Sequence, residues 1–479
     1  MKKLLLLLPI ASFGASFYLP IDSVISDDVE KMATITNMPS TKMPYSLQML
    51  NEYNEKIKES NPVLYNKIAS KLNSVSSKEL FVRDKASISV AASNSEASLA
   101  NSHGVDTRYK YLFEASYMLN VNEHFKGSIE GSLYEKDGSA KITTNNSFIS
   151  FGFDKFQVDA GYRDHFYGPF RNGGMQTSIN ATNSPSITLS NPKPFSFADI
   201  NYEVFFTKLK TVDGIYYDGS SYSGSPRLLG MHFDFHPLNS LEVSLDRTFQ
   251  FGGGPRSSGV SDVWQAFVDP VSKDNTNSNC GIDCETGNQQ ASVNIKYNGN
   301  LLDKDISVYG IYGGEDTNGE NYSLGNNAQG FGVYVPFVSK DTSFRYEALD
   351  ISTAWYKHHL YANGYSNGGN VMGNWFGDIS DQDIRRYLQY IELNNEYNNI
   401  NFSTKFKEKY NIEPSLYASK GYELARVIIE LLKMGDQTEL KKNLLIKKEF
   451  KGLQDTIIFD QYGDVVRKFN TFKVINGKF

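Results

Sequence analysis

The sequence predicts a mainly β protein. An antiparallel transmembrane β-barrel covers residues 81–392, short α-helices precede it, and an α/β segment follows. Three observations predict the barrel: side chains alternate apolar and polar with period two, long and short connections alternate, and no apolar run after the first sixteen residues could span a bilayer as a helix. A chain that crosses a membrane without such helices must do so as a closed barrel, because only those two structures satisfy the backbone in lipid.

Residues 1–16 read as a signal peptide. Lys2 and Lys3 form a basic start, Leu4 to Ala15 a short apolar core, and Gly14 and Ser16 suit a cleavage site. Removal would take the net charge from −6 to about −8. No cysteine follows the apolar core, which argues against a lipid-anchored N-terminus. The acidic balance and the lack of a basic stripe exclude nucleic acid as a partner, since phosphate contacts need clustered Lys and Arg. Thirty Tyr and thirty-one Phe give a ring-rich chain, as barrel surfaces and membrane-interface girdles require.

Residues 17–80 form a helical segment. Pro39 and Pro44 punctuate its start. Leu47, Leu50 and Tyr53 share one helix face, and after Pro62 so do Leu64, Ile68 and Leu72.

From Lys85 to about Ala362 the period is two. Phe156, Val158, Ala160 and Tyr162 fall on one face, and Lys155, Gln157 and Asp159 on the other. A hairpin repeats the pattern. Leu229, Met231, Phe233 and Phe235 alternate with His232, Asp234 and His236; after a turn, Leu241, Val243 and Leu245 alternate with Glu242, Ser244 and Asp246. A soluble β-sandwich would alternate too, so loop lengths decide. Connections 93–108, 163–199, 251–287 and 313–327 are long, and 121–124, 237–240 and 299–304 are short. Through about fourteen strands the long ones fall on one side, as in barrels with short periplasmic turns and long outer loops.

Cys280 and Cys284 lie in a Gly/Asn/Asp-rich stretch and suit a small disulfide in an oxidising compartment. Residues 379–394 and 403–445 look charged and helical, with Ala425, Ile428, Ile429 and Leu432 on one face. Strands near Thr456–Phe459 and Phe469–Val474 complete an α/β tail over 393–479.

No catalytic motif, metal site or cofactor loop is evident, and the chain reads as a non-enzyme. His358 and His359 are expected on opposite faces of a strand. His232 and His236 are four strand residues apart, roughly 13 Å, and read as lumen groups.

The segment Gly161-Tyr162-Arg163-Asp164-His165-Phe166-Tyr167-Gly168-Pro169, then Ser190-Asn191-Pro192-Lys193-Pro194, resembles the Wzi capsule-assembly family. Members carry a Gly-x-Arg segment, an aromatic-Gly-Pro turn and a Ser-Asn-x-x-Pro stretch. Tyr167 stands where Trp is more usual. Ile35-Thr36-Asn37-Met38-Pro39, Gly364-Tyr365, Met372-Gly373 and Gly377-Asp378 agree in order, so the resemblance covers about residues 20–392. It implies an outer-membrane lectin that holds capsular or other surface polysaccharide and needs outer-membrane lipid and the barrel-insertion machinery as partners. Arg163, Asp164, His165, Tyr167 and Asn191 are the candidate sugar contacts, with an ion pair inside the barrel as the competing role for Arg163. Gly161, Gly168, Pro169 and Pro194 are expected to fix turns. The tail is similar to the end of the type I periplasmic binding proteins, on Tyr410 with Pro414, Gly421-Tyr422, Phe450-Lys451-Gly452, Ile457-Ile458-Phe459-Asp460 and Gly463-Asp464. It is expected to lie in the periplasm and, lacking the other lobe, to bind no amino acid alone. The alternatives are a porin-like channel and a periplasmic ligand-binding fragment fused to a barrel that lacks its last strands.

Overall fold

The computed structural model describes residues 14–23, 25–76, 79–90, 102–105, 111–136, 138–273, 281–315, 324–339, 342–352, 354–374, 386–395, 416–434, 440–452, 456–459 and 465–466. Residues 1–13 of the expected signal peptide and the expected strand 469–474 lie outside them. The chain divides into two compact units, 1–394 and 395–479.

Three helices open the first unit: α1 (Ser26–Thr36), α2 (Leu47–Lys56) and α3 (Pro62–Val75). Their starts are set locally. The Ser46 hydroxyl accepts from the Met49 amide at 3.1 Å. Asn61 accepts from the Leu64 amide at 3.1 Å, and Pro62 takes the first helical turn, where its missing N–H costs nothing. Helix α1 stops at Asn37, which adopts the left-handed conformation. Leu47, Leu50, Tyr53, Leu64, Ile68 and Leu72 are all buried and form one core with Val29 and Met32. The expected helix faces are the packed ones.

The wall is a 14-stranded antiparallel sheet whose strands neighbour one another in chain order. They are β1 (Phe81–Val90), β2 (Tyr111–Asn120), β3 (Phe125–Lys136), β4 (Ser139–Phe153), β5 (Phe156–Tyr162), β6 (Ser186–Ser190), β7 (Asn201–Lys208), β8 (Arg227–Leu238), β9 (Leu241–Phe251), β10 (Gly287–Leu301), β11 (Lys304–Glu315), β12 (Ala328–Ser339), β13 (Thr342–Ile351) and β14 (Arg386–Asn395). Connections on one side are short, at 121–124, 154–155, 239–240, 302–303 and 340–341, except for the ten-residue connection 191–200. Those on the other run long, with one exception: β3 and β4 are joined by the tight hairpin at 137–138.

Three expectations about the wall need correction. The stretch 163–199 is not one loop, because β6 lies within it. Strand structure does not continue to Ala362: β13 ends at Ile351, and residues 354–374 fold into a compact cap instead. Residues 386–395, expected to be helical, form β14. The reason is alternation that its charges obscure. Tyr387, Ile391 and Leu393 are exposed apolar groups on one face, while Glu392 on the other meets Arg345 at 3.0 Å.

Alternation holds along the wall. Phe233, Leu245 and Val293 are 40 %, 47 % and 39 % exposed, and they form a cross-strand row with Tyr312. Their neighbours His232, Asp234, Asp246, Ser292 and Asn294 are buried inside. His232 contacts Asp246 at 2.6 Å and Asp234 at 2.7 Å, and Asn294 donates to Ser244 at 2.8 Å. An apolar outside around a polar, internally paired lumen is the pattern of a membrane barrel. No described helix is long and apolar enough to cross a membrane, which says nothing about strands.

The N-terminal segment fills the lumen. Tyr18 donates to Asp159 on β5 at 3.1 Å. Thr41 donates to Glu242 on β9 through its amide (2.9 Å) and hydroxyl (2.7 Å). Lys296 on β10 donates to Ser40 at 2.8 Å. Glu30 accepts from Arg345 on β13 (2.8 and 2.5 Å) and from Arg171 (2.9 Å). Lys71 pairs with Asp84 on β1 at 2.5 Å, and Asp27 accepts from Asn394 on β14. One segment thus touches strands from both ends of the sheet, so the sheet curves around it. Strands β1 and β14 are its two edges, and among the described residues no pairing joins them.

Two further elements matter. Helix α4 (Val260–Val268), in the long connection after β9, packs Val263 and Ala266 onto the outward-facing Phe249 and Phe251. The second unit holds α5 (Leu416–Leu432), α6 (Leu440–Lys447) and a three-stranded antiparallel sheet of Glu449–Lys451, Thr456–Phe459 and Val465–Val466. In α5 the buried face is Val427 and Leu431, packed on Phe450. Ile428, Ile429 and Leu432 stay substantially exposed, which corrects the expected face. The helix is apolar on more than one side, and periodicity alone does not choose between sides.

Glu30→Ala should leave Arg345 and Arg171 buried without their carboxylate. Losing one partner of such a pair costs about 3–5 kcal/mol. Urea unfolding in detergent micelles should register that loss, while the exposed control Glu59→Ala should change little.

Candidate functional site

The segment 161–169 runs from the end of β5 into the lumen. Gly161 has φ +136°, and a Cβ there would stand 2.4 Å from the Ser147 carbonyl, so only glycine fits. Gly168, at φ +99°, donates its amide to the Thr41 carbonyl at 2.7 Å, and Pro169 follows. This pins the turn to the N-terminal segment. Phe166 and Tyr167 pair as a two-residue antiparallel strand with Lys42–Met43.

Between these glycines the side chains converge on Glu203, a lumen-facing residue of β7. Arg163 donates to it at 2.8 Å, with Nε 3.2 Å from Asp159 and the guanidinium 4.3 Å over the Tyr18 ring. Tyr167 donates to Glu203 at 3.1 Å, and His165 Nδ1 lies 2.8 Å from it. The His165 ring stacks on Phe205 at 3.8 Å. Arg163, His165 and Tyr167 therefore share one carboxylate, and Arg163 makes an ion pair inside the barrel. Glu203 escaped the sequence reading. Its signal was available: Asn201, Glu203, Phe205 and Thr207 alternate inward along β7.

Asp164 points the other way. Its Oδ1 lies 2.8 Å from His103 Nε2 and accepts from Asn183 at 2.5 Å. Asn191 stands apart. It accepts from the Tyr202 amide at 2.8 Å and donates to the carbonyls of Lys193 (2.8 Å) and Ile200 (3.0 Å), closing the connection from β6 to β7. The Pro194 carbonyl accepts from Lys155. Arg163, Asp164, Tyr167 and Asn191 are buried; His165 is partly open, to a cavity of about 50 Å³ lined also by Thr182, Asn183 and Asn367.

Above this network the mouth is capped. Trp355 and Tyr356 both donate to the Met175 carbonyl, at 3.0 and 2.8 Å. Asn180 donates to the Val371 carbonyl at 2.9 Å, Asn367 to Ser184 at 3.0 Å, and Tyr361 to the Gly252 carbonyl at 3.1 Å. Trp355, Tyr356 and Tyr365 pack with the inward-facing Tyr309, Ile311 and Leu349.

His358 and His359 lie in this cap and not on a strand. Their rings stack at 4.4 Å, and their Nε2 atoms meet the two oxygens of Glu285 at 2.9 and 2.5 Å. The expectation that they face apart is thus wrong, because the strand ends before them. All three ligand atoms fall within 4.8 Å of one another. Burial would raise the Glu285 carboxyl, but hydrogen bonding from the two imidazoles wins and holds it down at about 2. Cys284, close by, is disulfide-bonded; the chain's other cysteine, Cys280, lies outside the described residues.

Comparison with known proteins decides the family. The family model "Capsule assembly protein Wzi" matches residues 82–422. The chain belongs to the Wzi capsule assembly family. The match runs past the expected limit at 392 as far as Tyr422, into the stretch that resembles binding proteins, and that second resemblance gains no support. A structure described as Wzi, an outer membrane protein involved in group 1 capsule assembly in Escherichia coli and a carbohydrate-binding β-barrel, is similar with a TM-score of 0.58. It is 17 % identical, covering 80 % of this chain and 82 % of that one. At that identity the likeness establishes the fold. An uncharacterized 55.8 kDa protein in the cps region of Klebsiella pneumoniae is 36 % identical over 94 residues. That match takes in 19 % of this chain and spans 17 % of the relative's length.

His103 and Asp164 generate a pH prediction. Burial disfavours charge on His103, but the adjacent Asp164 carboxylate outweighs it and lifts the imidazole from 6.5 to about 9. Burial likewise opposes charge on Asp164, yet His103 holds its carboxyl at about 2. A raised histidine stabilises the fold fully below its unfolded value and loses that contribution as pH rises through the folded value. Resistance of the outer loops to protease should therefore fall between about pH 6.5 and pH 9. His103→Gln should flatten that dependence.

Proposed function

We propose that this chain binds surface polysaccharide of the capsular type at the outer face of the outer membrane, without catalysing its conversion. The observation that carries the proposal is closure at both ends. Helices α1–α3 and their flanking strands fill the short-turn side of the lumen, and the segments 172–185 and 354–374 fill the long-loop side. Short turns face the periplasm and long loops the exterior in such barrels. A wall stoppered at both ends offers no solute path but presents a rigid outer surface. The family membership and the carbohydrate-binding description of the E. coli structure support the same reading.

The candidate contacts divide by reach. His165 and Arg163 both line the small cavity; His165 is the less buried of the two, and its Nε2 has only the long 3.3 Å contact to Ser186, which a hydroxylated ligand can replace. Arg163 and Tyr167 act through His165 by fixing Glu203, and Asp164 acts through His103 and Asn183. Asn191 sets the β6–β7 connection. In this division Arg163, Asp164, Tyr167 and Asn191 are positioning groups, and His165 is the member a sugar can meet. Residues 1–16 as a cleaved signal and the segment that follows β14 as a periplasmic tail complete the proposal. Mass spectrometry of the mature protein tests both boundaries.

His165→Ala should weaken retention of polysaccharide on cells several-fold while the protein keeps its heat-modifiable migration on gels. Arg163→Ala should release polysaccharide too. A folded Arg163→Ala barrel with unchanged polysaccharide would remove that residue from the site. In planar bilayers the purified protein should give no steady single-channel steps, and stable conductance would favour the porin-like alternative.

A further inference from the structure

The outward surface under α4 is not a plain barrel wall. A groove of about 630 Å³ crosses β7–β11 there. Its floor is apolar and outward-facing: Met231, Phe233, Leu245 and Val293, with the small residue Ala291 deepening the middle. Phe267 and Pro270 form its upper wall, and Lys273 stands at its rim.

The position of α4 is set by charge. Arg247 is an outward-facing arginine in the middle of β9, where lipid would otherwise meet it. Its guanidinium turns upward and donates to the carbonyls of Phe267 (2.9 Å) and Ala266 (3.2 Å) at the C-terminal end of α4. A cation at that end is favoured by the helix dipole. The helix is thus clamped against the outer wall, level with the outer end of β9. Its far side is apolar: Val260 is 86 % exposed and Trp264 64 %. An amphipathic helix carrying an exposed Trp, held outside a membrane barrel, sits at the lipid interface. The long-loop end of β9 places it in the outer leaflet.

We propose that the groove holds one acyl chain of a phosphorylated outer-leaflet lipid, with the phosphate against Lys273. The apolar floor suits a chain. Lys273 at the rim suits a phosphate, while Arg247 is committed to the α4 carbonyls and Gln289, and Glu285 lines the groove as well. Lys273 has Asp262 at 3.7 Å and keeps 22 % of its side chain exposed at the groove. The site depends on membrane placement alone and stands apart from polysaccharide binding.

The test uses the full-length protein extracted from outer membranes in mild detergent, washed, and weighed intact by native mass spectrometry with a phosphorus assay. The expected result is a stoichiometric phosphorylated lipid on the wild type. Ala291→Phe, which fills the floor, and Lys273→Glu, which reverses the rim charge, should each lose most of it. Ile149→Phe, outward-facing on β4 and away from the groove, should keep it. Heat-modifiable migration reports folding, and if Ala291→Phe misfolds, Lys273→Glu on the accessible rim carries the test. A wild type without lipid overturns the proposal. So does retention in both folded variants, or loss in Ala291→Phe with full retention in Lys273→Glu, which would mean a chain site with no phosphate contact.

Discussion

Each strand that turns an apolar side chain to lipid turns its next one inward, and inward here means away from water. The lumen of this chain is lined with carboxylates, guanidinium groups, imidazoles and amides. A buried charge without a partner costs several kcal/mol. The remaining structure answers that constraint. Glu30 is delivered to Arg345 and Arg171, Glu242 receives four donors from Ser40 and Thr41, and Glu203 gathers Arg163, His165 and Tyr167. The N-terminal helices are inside because they bring the missing partners.

The same accounting explains why the family's segment at 161–169 is built as it is. Glycines at 161 and 168 let the backbone pass where a Cβ would collide or strain. Between them three side chains reach one carboxylate. The segment is both the seam between plug and wall and the floor beneath the outer cap. A recognition surface above it inherits that rigidity, since Trp355, Tyr356 and Asn367 anchor the cap to residues 175–184 directly above the seam.

Much of this was legible in the residues. Alternation at 229–246 gave both faces of β8 and β9, and the spacing of Leu47, Leu50 and Tyr53 gave the packed side of α2. What was missed has physical reasons. Strand β14 carries Arg, Gln and Glu among its rings, so charge masked its period. His358 and His359 looked like alternating strand residues because nothing local announces that β13 stops at Ile351; the cap is held by contacts with residues 175 and 252, far away in sequence. Glu203 was readable as an inward residue, but its three partners come from a different segment. For α5, apolar groups on several sides left the choice of face to the strand Glu449–Lys451.

The plug's wiring also orders the making of the molecule. Glu30 and Arg345 are 315 residues apart, and Asp27 meets Asn394. A chain delivered from its N-terminus presents the plug first and its last partners at the very end. Until β13 arrives, Glu30 has no Arg345. The plug's pairing can therefore be complete only when the last strands of the wall are in place.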